Sequence, residues 1–250
     1  MTTRTIQLRE AGHVGWLTFY RPDRRNGMTP QMIDETHAAL TRWRTREDLS
    51  VVVITGDGDW FCPGADIDAV VNREPGSRLE DLPAHAETTF QVPALLHDQP
   101  QLTVAAINGG CAGAGLGFAA ACDLRFAKQT ARFNTAFLGL GIAGDMCLPW
   151  TLPRLIGPAR ARRLSFLPGP ISADEARAIG LVDEVFAASE YDAAIRRLIE
   201  QLDRYSPEAV RKLKAHYLTA ENSSLAEFSR IETRHHLASF DPSCFTDRRH

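Results

Sequence analysis

From Gln99 to Cys122 the chain runs 24 residues without a charged side chain, and this stretch limits the fold more than any other. It is long enough to span a bilayer, but it holds five glycines, Asn108 and mostly alanines in place of Leu, Ile and Phe. The reading is therefore a buried strand, a loop and a helix. Leu102–Ile107 is the strand, Asn108 opens a glycine-rich turn, and small residues from about Gly115 to Cys122 form a helix that neighbours can approach closely.

The rest of the first two thirds follows the same grammar. Val14–Tyr20 is apolar and β-prone and stops at Arg21-Pro22-Asp23. Thr29-Pro30 then supplies an N-cap and first turn, and Met32, Ile33, Thr36, Ala39, Leu40 and Trp43 recur at helical spacing. The run Val51–Thr55 closes a βαβ-like unit at Gly56-Asp57-Gly58. Segment 72–90 mixes Pro75-Gly76 and Pro83 with alternating polarity and reads as irregular. Further on, 123–127 is a strand, Ser172–Glu175 is a capping box, Gly180 ends that helix, and 181–186 is another strand. Beyond 190 the chain reads as helix throughout, with stripes at Ile195, Leu198, Ile199 and Leu202, at Val210, Leu213 and Tyr217, and at Leu225, Phe228 and Ile231. The expected division is an α/β body over 1–190 and a helical region over 191–250 serving assembly and cover of the site.

Several function classes fall away. With 44% hydrophobic and 24% charged residues, the 250-residue chain has ordinary globular composition and enough length for a sizeable core. A net charge of −3 without long blocks of one sign points to neither nucleic acid nor a membrane surface. The five cysteines, at 62, 111, 122, 147 and 244, are odd in number and contain no CxxC pair, which makes reducing cytoplasm the expected compartment; the N-terminus shows no secretory or transit leader. Glycines 113, 115 and 117 follow a strand, but the dinucleotide fingerprint also needs an acid about 20 positions later, and 133–140 contain none. No G-x-S-x-G, H-E-x-x-H, Walker A or EF-hand pattern occurs. His235-His236 are adjacent on a helix, not four apart, so no metal is expected.

Two small-residue turns remain, 61–67 after one buried strand and 108–115 after the next. Backbone N–H groups at helix starts carry partial positive charge, and small side chains let a ligand oxygen approach them. Side by side, two such turns make an oxyanion hole.

Arg21-Pro-Asp-Arg-Arg-Asn26, 61–67 (FCPGADI), Ala106-Ile-Asn-Gly109 with Gly113-Ala-Gly115, Cys122-Asp-Leu-Arg125, and 171–176 with 180–183 occur in order from about residue 5 to 235. In this set the chain resembles the enoyl-CoA hydratase/isomerase (crotonase) superfamily. The resemblance implies a spiral of ββα units with a C-terminal helical trimerisation region, assembled as trimers or pairs of trimers. It also implies an acyl-CoA substrate and no separate cofactor, coenzyme A being part of the substrate. The oxyanion donors would be the Ala65 and Ala114 amides, each worth about 3–4 kcal/mol in comparable sites. Coenzyme A would run past Arg24, Arg25, Cys62, Pro63, Gly64, Asp66 and Ile67, largely along backbone, with Gly113 and Phe137 completing the substrate site.

The two glutamates of the family's hydratases fall at Gly117 and Phe137, so the usual hydration machinery is missing. Asp145 stands where isomerases of the family carry their single acidic base, and its apolar neighbours Ile142, Met146 and Leu148 predict a raised pKa. Double-bond isomerisation with Asp145 as base is the expected reaction. The alternatives are a hydratase or related lyase or hydrolase using Asp145, and a non-catalytic acyl-CoA-binding member. The family's 4-chlorobenzoyl-CoA dehalogenase uses an Asp at this position as nucleophile, but its Trp and His match Phe137 and Phe90 here. Met146-Cys147-Leu148-Pro149 replaces a smaller, glycine-rich continuation, so a reshaped acyl pocket is expected.

Overall fold

The computed structural model describes residues 4–66 and 86–239. Strands β1 (Ile6–Ala11) and β2 (Val14–Phe19) form an antiparallel hairpin, and β2 then pairs in parallel with β3 (Val51–Gly56). Helix α1 (Pro30–Arg44) lies between them in sequence. Thr29 caps it by accepting the Met32 N–H at 3.2 Å, and the six apolar-face positions expected from the spacing are its buried residues.

A repeated unit builds the body. β3 is followed by β4 (Trp60–Cys62) and helix α2 (Ala86–His97). The next unit is β5 (Leu102–Ile107), β6 (Gly110–Ala112) and α3 (Ala114–Ala121), and the third opens with β7 (Leu124–Lys128) and β8 (Arg132–Asn134). The first strand of each unit joins one sheet, ordered β1-β2-β3-β5-β7 and closed by β10 (Glu184–Phe186), and the second joins another, ordered β4-β6-β8 and closed by β9 (Ile171–Ser172). Each unit therefore stacks on the last as one turn of a spiral. Two helices, α4 (Leu148–Ile156) and α5 (Pro158–Phe166), precede the short β9 (Ile171–Ser172), the capped α6 (Ala173–Ala178) and β10 (Glu184–Phe186).

The uncharged stretch 99–122 thus becomes β5, β6 and α3, and no helix among the described residues is long and apolar enough to cross a membrane. Of the segment expected to be irregular, 72–85 lies outside the described residues and 86–90 opens α2. The strand expected over 181–186 shortens to Glu184–Phe186, because the Leu181 carbonyl accepts from the buried Arg125 guanidinium at 3.0 Å. Arg125 also donates to the carbonyls of Cys122 and Asp123 and lies 3.6 Å from Asp183. The motifs at 122–125 and 180–183 are two ends of this one clamp.

Both faces of the larger sheet are covered, which is why Val51–Ile54 reads as a continuous apolar run. Val52 and Ile54 face a core with Phe19, Trp43, Phe61 and Phe118. Val51 and Val53 face the other way, onto Tyr191, Ile195 and Ile199 of α7 (Tyr191–Asp203). The boundary expected at 190 therefore falls inside a shared hydrophobic layer, and α7 packs as the outer cover of the sheet. Beyond it, α8 (Pro207–Ala220) seats by a polar contact: Lys214 is buried, with Nζ 2.7 Å from Asp123 Oδ2 and 3.0 Å from the Gln101 carbonyl. That register turns Leu213 and Tyr217 outward, as Leu225 and Leu237 are on α9 (Leu225–Ser239).

Candidate active site at two backbone turns

The first turn leaves β4 through Pro63, Gly64 and Ala65. Met28 straps it: the Met28 N–H donates to the Gly64 carbonyl at 2.8 Å, and the Asp66 N–H donates to the Met28 carbonyl at 2.9 Å. Hydrogen bonding on either side of Ala65 leaves its own N–H without a bond among the described residues, at an exposed position. Arg21 locks the far end, with Nη2 2.7 Å from Asp66 Oδ2 and Nη1 donating to the Gly27 carbonyl. The fully buried Asn26 clips the same loop to the β3–β4 turn, donating to the Asp57 and Trp60 carbonyls and accepting from the Arg21 N–H.

The second turn leaves β6 at Gly113, whose φ of 50° lies in the left-handed region and whose N–H donates to the Asn134 carbonyl at 3.0 Å. Ala114 is the first residue of α3, so its N–H precedes the helical ladder and makes no hydrogen bond among the described residues. The two turns touch. A Cβ built on Gly64 would lie 3.6 Å from the Ala114 nitrogen and 3.6 Å from Gly113 Cα. One on Gly115 would lie 2.0 Å from the Cys62 carbonyl oxygen, so only glycine permits this approach of α3 to β4.

Asp145 arrives on the loop between the 3-10 turn Phe137–Leu140 and α4. Its Oδ1 is buried without a hydrogen-bond partner, and desolvation raises the carboxyl above the ordinary aspartate range. The next residue pins the loop to α3: a Cβ on Gly117 would lie 2.4 Å from Met146 Cβ and 2.8 Å from its carbonyl oxygen. Gly117 is one helical turn from Ala114, so the anchor brings the Asp145 loop to the turn that carries the free amide. Met146 and Cys147 sit at φ 50° and 59°, a left-handed pair that the sequence pattern did not announce.

The remaining expected residues divide by position. Phe137 packs against the second turn, its Cε1 3.9 Å from the place of a Gly113 Cβ. Arg24, the last residue of the short 3-10 turn Pro22–Arg24, and Arg25, its C-cap, are exposed, and the Arg25 guanidinium lies 5.1 Å from the Trp60 ring centroid. Pro63 is half-buried on the first turn. Cys62 was expected to meet coenzyme A largely along its backbone. It is fully buried, its thiol is pushed up to about 12 by desolvation, and it packs beneath the turn without facing a ligand surface. The Asp66 carboxylate is likewise committed to Arg21, which limits any ligand contact there to backbone. Ile67 lies outside the described residues. Among those described, no group of three His, Cys, Asp or Glu side chains could hold a metal ion. Sequence reasoning missed Arg21 as the clamp and Met146 as the cover of Gly117; Arg21 stood inside a quoted motif, whereas nothing local marked Met146.

Residues 9–244 match the enoyl-CoA hydratase/isomerase family. The chain is 28% identical to 4-chlorobenzoyl coenzyme A dehalogenase-2 of Arthrobacter sp, over 97% of this chain and 88% of that protein. It is 31% identical to the human mitochondrial Delta(3,5)-Delta(2,4)-dienoyl-CoA isomerase, over 86% of this chain and 68% of that one. A Thermobifida fusca YX protein solved in complex with acetoacetyl-CoA superposes with a TM-score of 0.85 at 30% identity, covering 94% of each chain. The matched span takes in every described helix, both turns and both sheets apart from the first three residues of β1, and the chain belongs to the enoyl-CoA hydratase/isomerase family, within the crotonase superfamily.

Proposed function

We propose that the protein shifts the double bond of a 3-enoyl-CoA into conjugation, with Asp145 as the single acid–base residue and the Ala65 and Ala114 amides as the oxyanion hole. The observation that carries this reading is the buried, unpartnered Asp145 Oδ1 beside a helix position sealed by Met146. Syn-hydration needs a second carboxylate, and Gly117 has no room for any side chain. One base is enough for isomerisation. Asp145 takes a proton from C2, the C–H electron pair forms C1=C2 and pushes the carbonyl pair onto the thioester oxygen, and the two amides hold the resulting dienolate with C3=C4 still in place. Collapse of the dienolate makes the C2=C3 bond as Asp145 returns the proton to C4. Partial desolvation suits the task, since it raises the basicity of the carboxylate. The α3 N-terminus adds favourable potential at the developing oxyanion.

Conjugation with the thioester raises ultraviolet absorbance, whereas hydration of a 2-enoyl ester lowers it. The expected result is a rise with 3-enoyl-CoA that falls by about 10²–10⁴ in Asp145→Asn. Only the opposite change, or full turnover by the variant, would defeat the assignment. Similarity to the Arthrobacter dehalogenase over 97% of this chain favours a second reading, in which Asp145 attacks the chlorine-bearing ring carbon, chloride leaves and water cleaves the aryl ester. The side chains of Phe137 and Phe90 offer no N–H to such a reaction. Chloride release from 4-chlorobenzoyl-CoA separates the two. The assembly proposed with this activity is a homotrimer or a pair of trimers.

A further inference from the structure

A cavity of about 340 Å³ opens between the 3-10 turn Phe137–Leu140 and the α4–α5 pair. Phe137, whose ring stands against Gly113 of the second turn, forms one wall, and Gly144, the residue before Asp145, also lines it. The buried Leu148, Leu152 and Ala161 form its floor. Thr135 reaches the cavity, but its hydroxyl already donates to the Leu164 carbonyl at 2.8 Å. The other polar lining residues, Arg162 and Ser165, are exposed and half-buried, so the deep part is carbon.

A polar group carried to that depth would lose its water without gaining a partner. The space equals about eleven groups of roughly 30 Å³ each, far more than a four-carbon acyl group fills. We infer that this cavity takes the acyl tail, and that the substrate class is the thioester of a plain hydrocarbon acid of about ten to twelve carbons, without a polar group at the far end. The inference rests on the acyl-CoA reading above and adds the identity of the tail.

The experiment measures isomerisation, and exchange of the α-proton in D2O, for 3-enoyl-CoA esters of four, ten and sixteen carbons and for a ten-carbon ester with a terminal hydroxyl. The ten-carbon ester is expected to exceed both the four-carbon and the hydroxylated one by at least about tenfold in kcat/KM, in line with the discrimination an apolar pocket achieves. Ala161→Phe, which fills the floor, lowers the ratio of ten-carbon to four-carbon kcat/KM by a similar factor. Ser165→Leu narrows the cavity nearer the surface and serves where Ala161→Phe does not fold. Equal rates at four and ten carbons, a tolerated terminal hydroxyl, or an unchanged ratio in a folded variant would overturn the tail assignment alone. Absence of exchange and isomerisation with every ester would remove the acyl-CoA reading beneath it.

Discussion

Asp145 carries opposite consequences for turnover and for stability. Its raised pKa means that the folded state holds the proton more tightly than the unfolded state does. Between the unfolded aspartate value, about 3.9, and the raised folded value, the native chain binds more protons, so its stability falls as pH rises through that window. At neutral pH the ionised side chain is a net cost. Asp145→Asn is therefore expected to melt at higher temperature than the parent at pH 7, with the ionisation-linked part of that difference vanishing below about pH 3.9. Melting curves of both proteins from pH 3 to 8 check this, and a variant less stable at pH 7 than at pH 3.5, relative to the parent, would contradict it. The acid itself was legible only through the resemblance, at the position of the isomerases' base, and its apolar neighbours Ile142, Met146 and Leu148 predicted the direction of its pKa shift. The lock around it was not, because Met146 meets Gly117 across 29 positions of chain, and no local pattern encodes such a contact.

At the scale of elements, helix starts and faces were the readable part. Thr29 and Ser172 each accept from an N–H in the first turn of the following helix, as their types and spacing predicted, and Ser224 does the same before α9. Four-stranded pairing was not readable, since β4, β6, β8 and β9 have only two or three residues each and too little periodicity to register. The α8 register also escaped prediction: an apolar stripe at Val210, Leu213 and Tyr217 suggested the buried side, yet Lys214 is the residue that goes in. Its ammonium pairs with Asp123 while Asp123 also accepts from the Thr103 N–H and hydroxyl. Desolvation lowers the Lys214 pKa, and Asp123 partly offsets the shift. Lys214→Ala leaves that acceptor short of a donor and opens a void. The expected cost is about 3 kcal/mol in urea unfolding, with Lys214→Met costing less because its stem fills the space. Equal stability of the parent and both variants would show that α8 is held by other contacts.

Across the whole molecule, the outward Leu213, Tyr217, Leu225 and Leu237 leave two consecutive helices with large apolar side chains in solvent. Scattered exposed apolar residues are ordinary, but these four lie on the last two described helices, and a second group, Leu138, Leu140, Ile142, Trp150, Phe166 and Leu167, is exposed between 138 and 167. The proposed trimer predicts a light-scattering mass of about three or six times 27.6 kDa, and Leu213→Glu combined with Tyr217→Glu lowers it. A parent protein that elutes at 27.6 kDa across concentrations would refute the assembly. The cover that α7 gives to the large sheet has a consequence for biosynthesis. Val53 and Ile195 share one core cluster although about 140 positions separate them, so a growing chain on the ribosome exposes one apolar face of β3 until α7 has emerged. Nascent chains of this protein need shielding late in synthesis, at the stage when the turns of the spiral are already complete and only their outer wrapping is still to come.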